Sequence, residues 1–209
     1  MKLAIIGSGN VGGALGKLWA EKGHDVTFGS RDPSADSVKA AAAAAGGAAI
    51  ANVAGAVAGA EVVVIAVPWT AVPATIEAAG DLSGKIILDA TNPLEADLSG
   101  LAVDSSTSAA QEIAKLAGGA AVVKAFNSTG AGNYSNPAFG GQAASMLICG
   151  DDDDAKATVA QLTESLGFDV VDAGPLANAS SLESLALLWI KLAYVVDLGP
   201  EIAWKLLRR

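Results

Sequence analysis

The stretch KLAIIGSGNVG at residues 2–12 decides the fold of this chain. Residues 2–6 form an apolar run typical of a strand, the spacing Gly7-x-Gly9-x-x-Gly12 follows, and residues 13–22 have helical composition. This order predicts a dinucleotide site, because the glycines let backbone amides at the helix N-terminus approach a pyrophosphate. A glycine turn needed only for packing is the alternative. The residues that we expect to hold the pyrophosphate are Gly7, Ser8, Gly9, Asn10, Val11 and Gly12.

Strands and helices alternate beyond this turn, which predicts an α/β fold with a Rossmann-type, doubly wound parallel sheet. The alanine-rich stretch 34–60 is interpreted as packed helix rather than a low-complexity linker, which would contain more Ser, Pro and charge. Gly46-Gly47 is expected to end that helix. The predicted strands lie at 2–6, 25–28, 48–50, 61–67, 85–88 and 120–126, and further helices lie at 69–79 and 105–116.

The last third of the chain is predicted to be a small C-terminal α/β extension. We divide the chain into a dinucleotide-binding Rossmann domain over 1–140 and an extension over 141–209 that packs on it as one compact unit. The extension is expected to contain strands at 144–149 and 169–172, helices at 151–166 and 180–196, and a short final helix after Gly199-Pro200.

Composition excludes several classes of protein. The 209 residues are 52% hydrophobic with a net charge of −9, which argues against disorder and against binding to nucleic acid. A single cysteine and a single histidine cannot assemble a structural zinc site, and one cysteine allows no disulfide within the chain. The apolar run after Met1-Lys2 is too short for a signal peptide, and Lys191 breaks the longest apolar stretch near the C-terminus. We therefore expect a cytoplasmic protein with no membrane or nucleic-acid partner and no metal.

The end of the second predicted strand indicates which nicotinamide cofactor binds. NAD sites place Asp or Glu there to accept hydrogen bonds from the ribose hydroxyls, but this chain has Gly29-Ser30-Arg31. Ser30 can donate a hydrogen bond to a 2′-phosphate, and Arg31 can make a charge-assisted contact with it. These residues favour NADP(H). A solvated arginine before a helix is the alternative.

Three loops follow strands at the edge of the sheet where ligands of such folds bind. They contain Val67-Pro68-Trp69, Asp89 to Pro93 and Phe126 to Gly130, and Asp89 is their one titratable residue. Such loops suit hydride transfer between two ring systems, in which the protein mainly positions the reactants. Val67, Pro68, Trp69, Asn92, Asn127, Ser128, Thr129 and Gly130 are therefore added to the cofactor-binding set, with no catalytic acid or base.

Other notable residues have structural interpretations. Asp151 to Asp154 fail the spacing of a calcium loop and are interpreted as an acidic helix N-terminus. Cys149 ends an apolar strand and is expected in the core, and Trp189 belongs to a packing or dimer stripe. Lys191 interrupts an apolar helix, so it either extends its ammonium to solvent, which we favour, or enters a pocket as a donor.

Several segments, in order along the chain, resemble the NADPH-dependent coenzyme F420 reductases. They are Gly7 to Gly12, Gly29-Ser30-Arg31, Val67-Pro68-Trp69, Cys149 to Asp153, Asp172-Ala173-Gly174-Pro175-Leu176 and Glu183-Ser184-Leu185. The resemblance covers essentially the whole chain. It implies a Rossmann domain with a small C-terminal extension, a homodimer through the C-terminal helices, and hydride exchange between NADPH and a 5-deazaflavin.

One segment departs from that family. Members that use the deazaflavin can carry a His-Thr-Ile-Pro-like segment after the sixth strand, where this chain has Asn127-Ser128-Thr129-Gly130. Lys124-Ala125-Phe126-Asn127 instead looks like the cytosolic reductase domain of six-transmembrane metalloreductases, which resemble the same family and use NADPH with a flavin. Coenzyme F420, FMN and FAD thus all stay open as the second cofactor.

Three functions are compatible with these residues. The first is an oxidoreductase that transfers a hydride between NADP(H) and a deazaflavin or flavin. The second is an NADPH-dependent reductase of a small carbonyl or imine, with Lys191 as the proton donor that such chemistry needs. The third is an NADP(H)-binding sensor without turnover.

Overall fold

Eight strands form one sheet with helices on both faces in the computed structural model, which describes residues 1–104 and 106–209. The sheet contains β1 (Lys2–Ile6), β2 (Asp25–Ser30), β3 (Ala49–Asn52), β4 (Val62–Ile65), β5 (Ile86–Asp89), β6 (Ala121–Lys124), β9 (Ser145–Gly150) and β10 (Asp169–Asp172). A separate hairpin pairs β7 (Ala138–Phe139) with β8 (Gln142–Ala143). The helices are α1 (Asn10–Glu21), α2 (Asp36–Ala44), α3 (Val53–Ala58), α4 (Val72–Ala79), α5 (Ala109–Leu116), α6 (Asp153–Glu164) and α7 (Ala179–Ile190).

The strand order is β10-β9-β6-β5-β4-β1-β2-β3, and β1 to β6 are all parallel. This confirms the predicted Rossmann-type arrangement. The chain order reverses between β1 and β4, so the crevice at the carboxyl ends of these strands is the expected ligand site. Among the described residues, the helices are all too short or too polar to cross a bilayer.

The two strands of the extension continue the same sheet, but β9 runs antiparallel to β6. The expectation of a parallel sheet is therefore wrong at this one junction. The physical reason is the connection: a parallel neighbour needs a long crossover, usually a helix, whereas residues 125–144 contain only a short helical turn and the β7–β8 hairpin. Helix α6 then supplies such a crossover, and β10 pairs parallel to β9.

The sheet separates two apolar layers. One layer is rich in aromatic rings: Phe126 makes edge-to-face contacts with Trp19, Tyr134 and Phe168 at centroid distances of 5.6, 5.4 and 6.0 Å. Such contacts add to the free energy gained from burial. They also connect α1, the end of β6 and the extension in one core.

The alanine-rich stretch is folded, as predicted. It forms α2, β3 and α3. Helix α2 buries Val38, Ala41 and Ala42 against the sheet, and the β3 strand beneath it is only half-buried. This edge of the sheet is therefore covered mainly by methyl groups.

The predicted final helix is wrong. Residues 201–209 are irregular and lie along the start of β9, where Ser145 N donates to Trp204 O at 2.8 Å and Leu206 N donates to Ser145 Oγ at 3.0 Å. A helix of nine residues is marginal by itself, and these tertiary hydrogen bonds replace its own. The preceding helix has nearly its predicted extent, because α7 continues from Ile190 into a π-helical turn over Lys191–Val195.

The helix predicted at 105–116 begins at Ala109, with Ser108 Oγ accepting from Gln111 N. Its first predicted residue, Ser105, lies outside the described residues.

Candidate functional site

The glycine-rich turn joins β1 to α1 at the carboxyl edge of the sheet. A Cβ on Gly7 would lie 2.3 Å from Ala66 O, and one on Gly12 would lie 1.9 Å from Gly7 O, so packing alone requires both glycines. A Cβ on Gly9 would meet nothing within 4 Å. Gly9 is also the N-cap of α1 and supplies no side chain to the first amides of the helix. Packing thus explains two of the three glycines, and the open space at Gly9 fits an anionic ligand at the helix N-terminus.

A cavity of about 140 Å³ connects this turn to the end of β2, with Gly7 and Ser8 on one side and Ser30 and Arg31 on the other. The Ile6 side chain fills the space beside Gly29 in this region, since a Cβ on Gly29 would lie 2.4 Å from Ile6 Cδ1. The structure therefore brings together the residues expected at the pyrophosphate and at the 2′-phosphate.

Arg31 is the charged residue that lines this cavity, because the neighbouring Asp32 is held by other hydrogen bonds. The Ser30 hydroxyl donates to Asp32 O at 2.9 Å. The Asp32 carboxylate accepts hydrogen bonds from Ser34 N at 2.9 Å and Ser34 Oγ at 2.6 Å, and these bonds lower the pKa of Asp32. The carboxylate is thus ionised and held in the turn before α2, while the Arg31 side chain is exposed.

Val67 and Pro68, with Ala71 and Thr75, line the same small cavity. They therefore lie beside Ser30 and Arg31. Trp69 follows Pro68 and is half-buried. This loop is thus associated with the Arg31 end of the crevice.

The loops after β5 and β6 are joined by a pair of amides. Asn92 Nδ2 donates to Asn127 O, and Asn127 Nδ2 donates to Asn92 Oδ1 and to Leu182 O of helix α7, each at 3.0 Å. Within the described residues, Thr91 Oγ1, Asn127 Oδ1 and Ser128 Oγ are buried without a hydrogen-bond partner. Such groups are costly to leave unpaired, so this edge of the sheet has hydrogen-bonding capacity that the described residues do not satisfy.

A second cavity, of about 550 Å³, opens beside the N-terminus of α1. Its walls come from both parts of the chain and are formed by Asn10, Ala14, Gly130 to Asn133, Tyr194, Pro200 and Glu201. A Cβ on Gly130 would lie 2.7 Å from Trp189 Cη2, so α7 packs directly on this loop. Ile202 O accepts from Trp189 Nε1 at 2.8 Å and from Thr129 Oγ1 at 3.4 Å, which holds the C-terminal segment in place.

Comparison with known proteins identifies the family of this chain. A family model described as NADP oxidoreductase, coenzyme F420-dependent, matches residues 2–93. An F420-dependent NADP reductase from Methanothermobacter marburgensis is 33% identical over 211 residues, which cover 92% of each chain. The chain belongs to the coenzyme F420-dependent NADP oxidoreductase family. This confirms the resemblance and makes the chain a member of an NADP-dependent oxidoreductase family.

Other proteins are similar to this chain in sequence or in structure. Metalloreductase STEAP3 from Rattus norvegicus is 32% identical over 187 residues, which cover 89% of this chain but only 36% of STEAP3. A candidate F420-dependent NADP reductase from Arthrobacter sp. FB24 superposes over 100% of both chains with a TM-score of 0.90 and 33% identity. A reductive aminase from Aspergillus terreus, in complex with NADPH, has a TM-score of 0.69 and 25% identity over 94% of this chain and 62% of its own.

The structure also contains a buried ionic cluster that the sequence analysis did not identify. Lys124 Nζ lies 2.8 Å from both Asp89 Oδ2 and Glu183 Oε1, and all three side chains are fully buried. Burial opposes the charge on Lys124, but the two carboxylates outweigh it and raise the pKa of Lys124. Burial raises the pKa of Glu183, and Lys124 offsets part of that shift. The sequence did contain a sign of this cluster, because Lys124 is a single charge in an otherwise apolar strand and Glu183 is a single charge in an apolar helix.

The remaining candidates lie outside both cavities. Lys191 is half-buried, and its Nζ donates to Ser99 O at 3.4 Å. Cys149 is in the core, as expected, and burial raises the pKa of its thiol to about 12. Asp152 accepts from Ala155 N at 2.8 Å, which matches the interpretation of its acidic run as a helix N-terminus.

Proposed function

We propose that this protein transfers a hydride between NADP(H) and coenzyme F420 or a flavin. The observation that carries the proposal is the pair of cavities on either side of the α1 N-terminus. One contains Arg31 and suits the 2′-phosphate end of NADP(H), and the larger one is walled by the extension and suits a second ring system. NADP(H), when bound, supplies or takes the hydride at C4 of the nicotinamide.

The proposed roles follow the order of the loops along the sheet. Gly7 to Gly12 would hold the pyrophosphate through backbone amides, and Arg31 would bind the 2′-phosphate. Ser30 would join Arg31 by turning its hydroxyl from Asp32 O. Because Val67, Pro68 and Trp69 lie at the Arg31 end, we now assign them to the adenine ring.

The nicotinamide end is assigned to the loops after β5 and β6. Asn92 and Asn127 fix these loops against each other. The unpartnered oxygens of Thr91, Asn127 and Ser128 provide polar groups for a carboxamide. Gly130 lines the larger cavity, and Thr129 precedes it in the same loop. The chain's contribution to the reaction is thus to orient two rings and to exclude water between them.

The second cavity fits a planar acceptor. Most of its lining consists of small or amide residues, and the aromatic ring of Tyr194 forms one wall, 6.0 Å from the ring of Trp189. Lys191 Nζ lies on the Ser99 carbonyl, so no acid–base role is assigned to it in this reaction.

The test offers coenzyme F420, FMN and FAD separately to purified protein, with NADPH or NADH, and follows absorbance at 340 nm. We expect oxidation of NADPH but not NADH, with at least one ring acceptor. A Gly132→Tyr variant should fold, because the position of its Cβ is open. Its ring should fill the second cavity and abolish turnover, while NADPH binding is not weakened. Gly59→Tyr, at a similarly open position after α3, is the matched control. NADPH binding without reduction of any ring acceptor would refute the proposal.

A second candidate function is reduction of a carbonyl or imine. It is favoured by the structural likeness to the reductive aminase from Aspergillus terreus. This chemistry requires a proton donor, for which Lys191 is our candidate. Lys191→Ala should abolish reduction of a carbonyl or imine and leave reduction of a flavin or deazaflavin nearly intact. Tight NADPH binding with no turnover of any acceptor would instead favour the sensor.

We also propose a homodimer through the C-terminal helices. The end of α7 and the turn after it expose Leu188, Val195, Val196 and Leu198 to between 47% and 69% of their surface. Apolar groups that cluster on a surface are typical of an interface. A cytoplasmic location, supported by the single buried cysteine, completes the proposal.

A further inference from the structure

The buried cluster of Lys124, Asp89 and Glu183 contains more acidic groups than basic groups. One ammonium faces two carboxylates, and the three side chains are completely buried. The excess negative charge is stabilised by backbone amides: Glu183 accepts from Ala109 N at 3.2 Å and Ala110 N at 3.4 Å, at the N-terminus of α5. Asp89 Oδ1 accepts from the amide of residue 91 at 2.9 Å.

Stability alone gives little reason for such a cluster. Replacing buried ion pairs by apolar groups of similar volume is often neutral or stabilising, because desolvation offsets most of the attraction. A fixed, unscreened charge does, however, act on whatever binds next to it, since the protein interior screens charges much less than water does.

The cluster lies directly beneath the loops assigned to the nicotinamide. Lys124 Nζ also donates to Thr91 O at 2.7 Å, so ionic groups hold the backbone of this residue from both sides. Asn92 follows and pairs with Asn127, which in turn donates to the carbonyl of Leu182, the residue before Glu183. One connected set of hydrogen bonds thus runs from the cluster to the ligand edge.

We propose that Glu183 and Asp89 are electrostatic positioning residues that make the site bind NADP⁺ more tightly, relative to NADPH, than a neutral site would. The oxidised nicotinamide ring carries a positive charge and the reduced ring is neutral, so a nearby negative charge stabilises only the oxidised form. The inference rests on the proposed placement of the nicotinamide at Thr91, Asn92 and Asn127. Its consequence for the reaction is that hydride donation by bound NADPH becomes more favourable.

The expected change in the ratio of the two dissociation constants is calculated for the removal of one unit charge. For a unit charge that does not touch the nicotinamide ring, an effective dielectric of about 20 gives a change of roughly tenfold in a binding constant. The positive end of the α5 dipole offsets part of this charge. We therefore expect a change of about 3- to 10-fold in the ratio of the NADP⁺ and NADPH dissociation constants.

The test measures both dissociation constants by titration calorimetry, without any acceptor, for the wild type and Glu183→Gln. We expect the variant to bind NADP⁺ about 3- to 10-fold more weakly and NADPH within about twofold of the wild type. Glu112→Gln removes a half-buried carboxylate of α5 that lies outside the cluster and should leave the ratio unchanged. Asp89→Asn removes the second buried carboxylate, should shift the ratio in the same direction, and serves if Glu183→Gln does not fold.

Equal weakening of both nucleotides would overturn the proposal, because it would mean that the cluster only maintains the fold. An unchanged ratio in a folded variant would overturn it as well. Failure of the wild type to bind either nucleotide would refute the cofactor site itself. Failure to reduce any acceptor would refute only the proposed function, since this binding experiment needs no acceptor.

Discussion

Arg31→Ala should weaken the binding of NADPH much more than the binding of NADH. Arg31 follows β2 and lines the small cavity opposite Gly7 and Ser8. The nearby Asp32 carboxylate is held by two hydrogen bonds from Ser34 and cannot replace the lost contact, because a carboxylate repels a phosphate. Ser30 would be left as the remaining donor from the end of β2.

The magnitude follows from the type of contact and its exposure. A hydrogen bond to a charged group contributes about 1.5–3 kcal/mol, which corresponds to about 10- to 100-fold in affinity. The Arg31 side chain is exposed, and solvent screens exposed charges. We therefore expect the lower part of this range, roughly a 10- to 30-fold increase in the NADPH dissociation constant. NADH binding should change by less than about twofold, since NADH lacks the 2′-phosphate.

The assay is equilibrium titration with NADPH and NADH at low ionic strength. Lys39→Ala removes an exposed cation from the neighbouring helix α2 and is the matched control. If Arg31→Ala weakens NADPH and NADH equally, the side chain supports the local fold and does not recognise the phosphate. If neither constant changes, the cavity beside Gly7 is not the 2′-phosphate site.

Four further outcomes are expected. Gly9→Ala should melt like the wild type but bind NADPH at least several-fold more weakly in titrations, because a Cβ at Gly9 meets no protein atom. Gly12→Ala should unfold at a lower temperature, because a Cβ at Gly12 clashes with the protein. Lys124→Met should lower the free energy of unfolding by about 3–5 kcal/mol in urea titrations, since it leaves buried carboxylates unpaired. Cys149 should resist a thiol reagent until the protein unfolds. Because the folded thiol pKa is raised to about 12, its contribution to stability should be constant below pH 9 and decline as the pH rises towards 12. Val195→Glu should halve the mass measured by light scattering if the exposed turn after α7 forms the proposed dimer; an unchanged dimer would exclude this surface.

Local patterns predicted the parts of the fold that depend on neighbours in sequence. The strands Lys2–Ile6 and Asp169–Asp172 have the predicted bounds, because each is a short run ended by glycine or by polar residues. The direction of β9 was not predictable in this way. It depends on how residues 125–144 connect two strands, and neither propensity nor periodicity encodes that path.

In the candidate site, too, local features could be predicted from the sequence and contacts between distant residues could not. The glycine turn and Arg31 were recognisable because their chemistry lies in one short segment. The Lys124 cluster joins three residues that are far apart in the chain, so only the folded structure reveals that their charges meet. The Ser30 hydroxyl was expected to be available as a donor, but a carbonyl two residues away already accepts from it. A competing bond of this kind depends on local geometry that residue types do not specify.

The thin cover of alanine methyl groups on the edge formed by α2 and β3 has a consequence for hydrogen exchange. Little apolar surface is buried there, so this edge should open locally at a small fraction of the global unfolding free energy. Its amides should exchange with deuterium well before those of β4 and β5 in the centre of the sheet. Arg31 lies in the turn that leads into α2. A phosphate bound by Arg31 should therefore slow hydrogen exchange selectively in α2 and β3. Binding of the cofactor would then make this edge of the sheet more ordered.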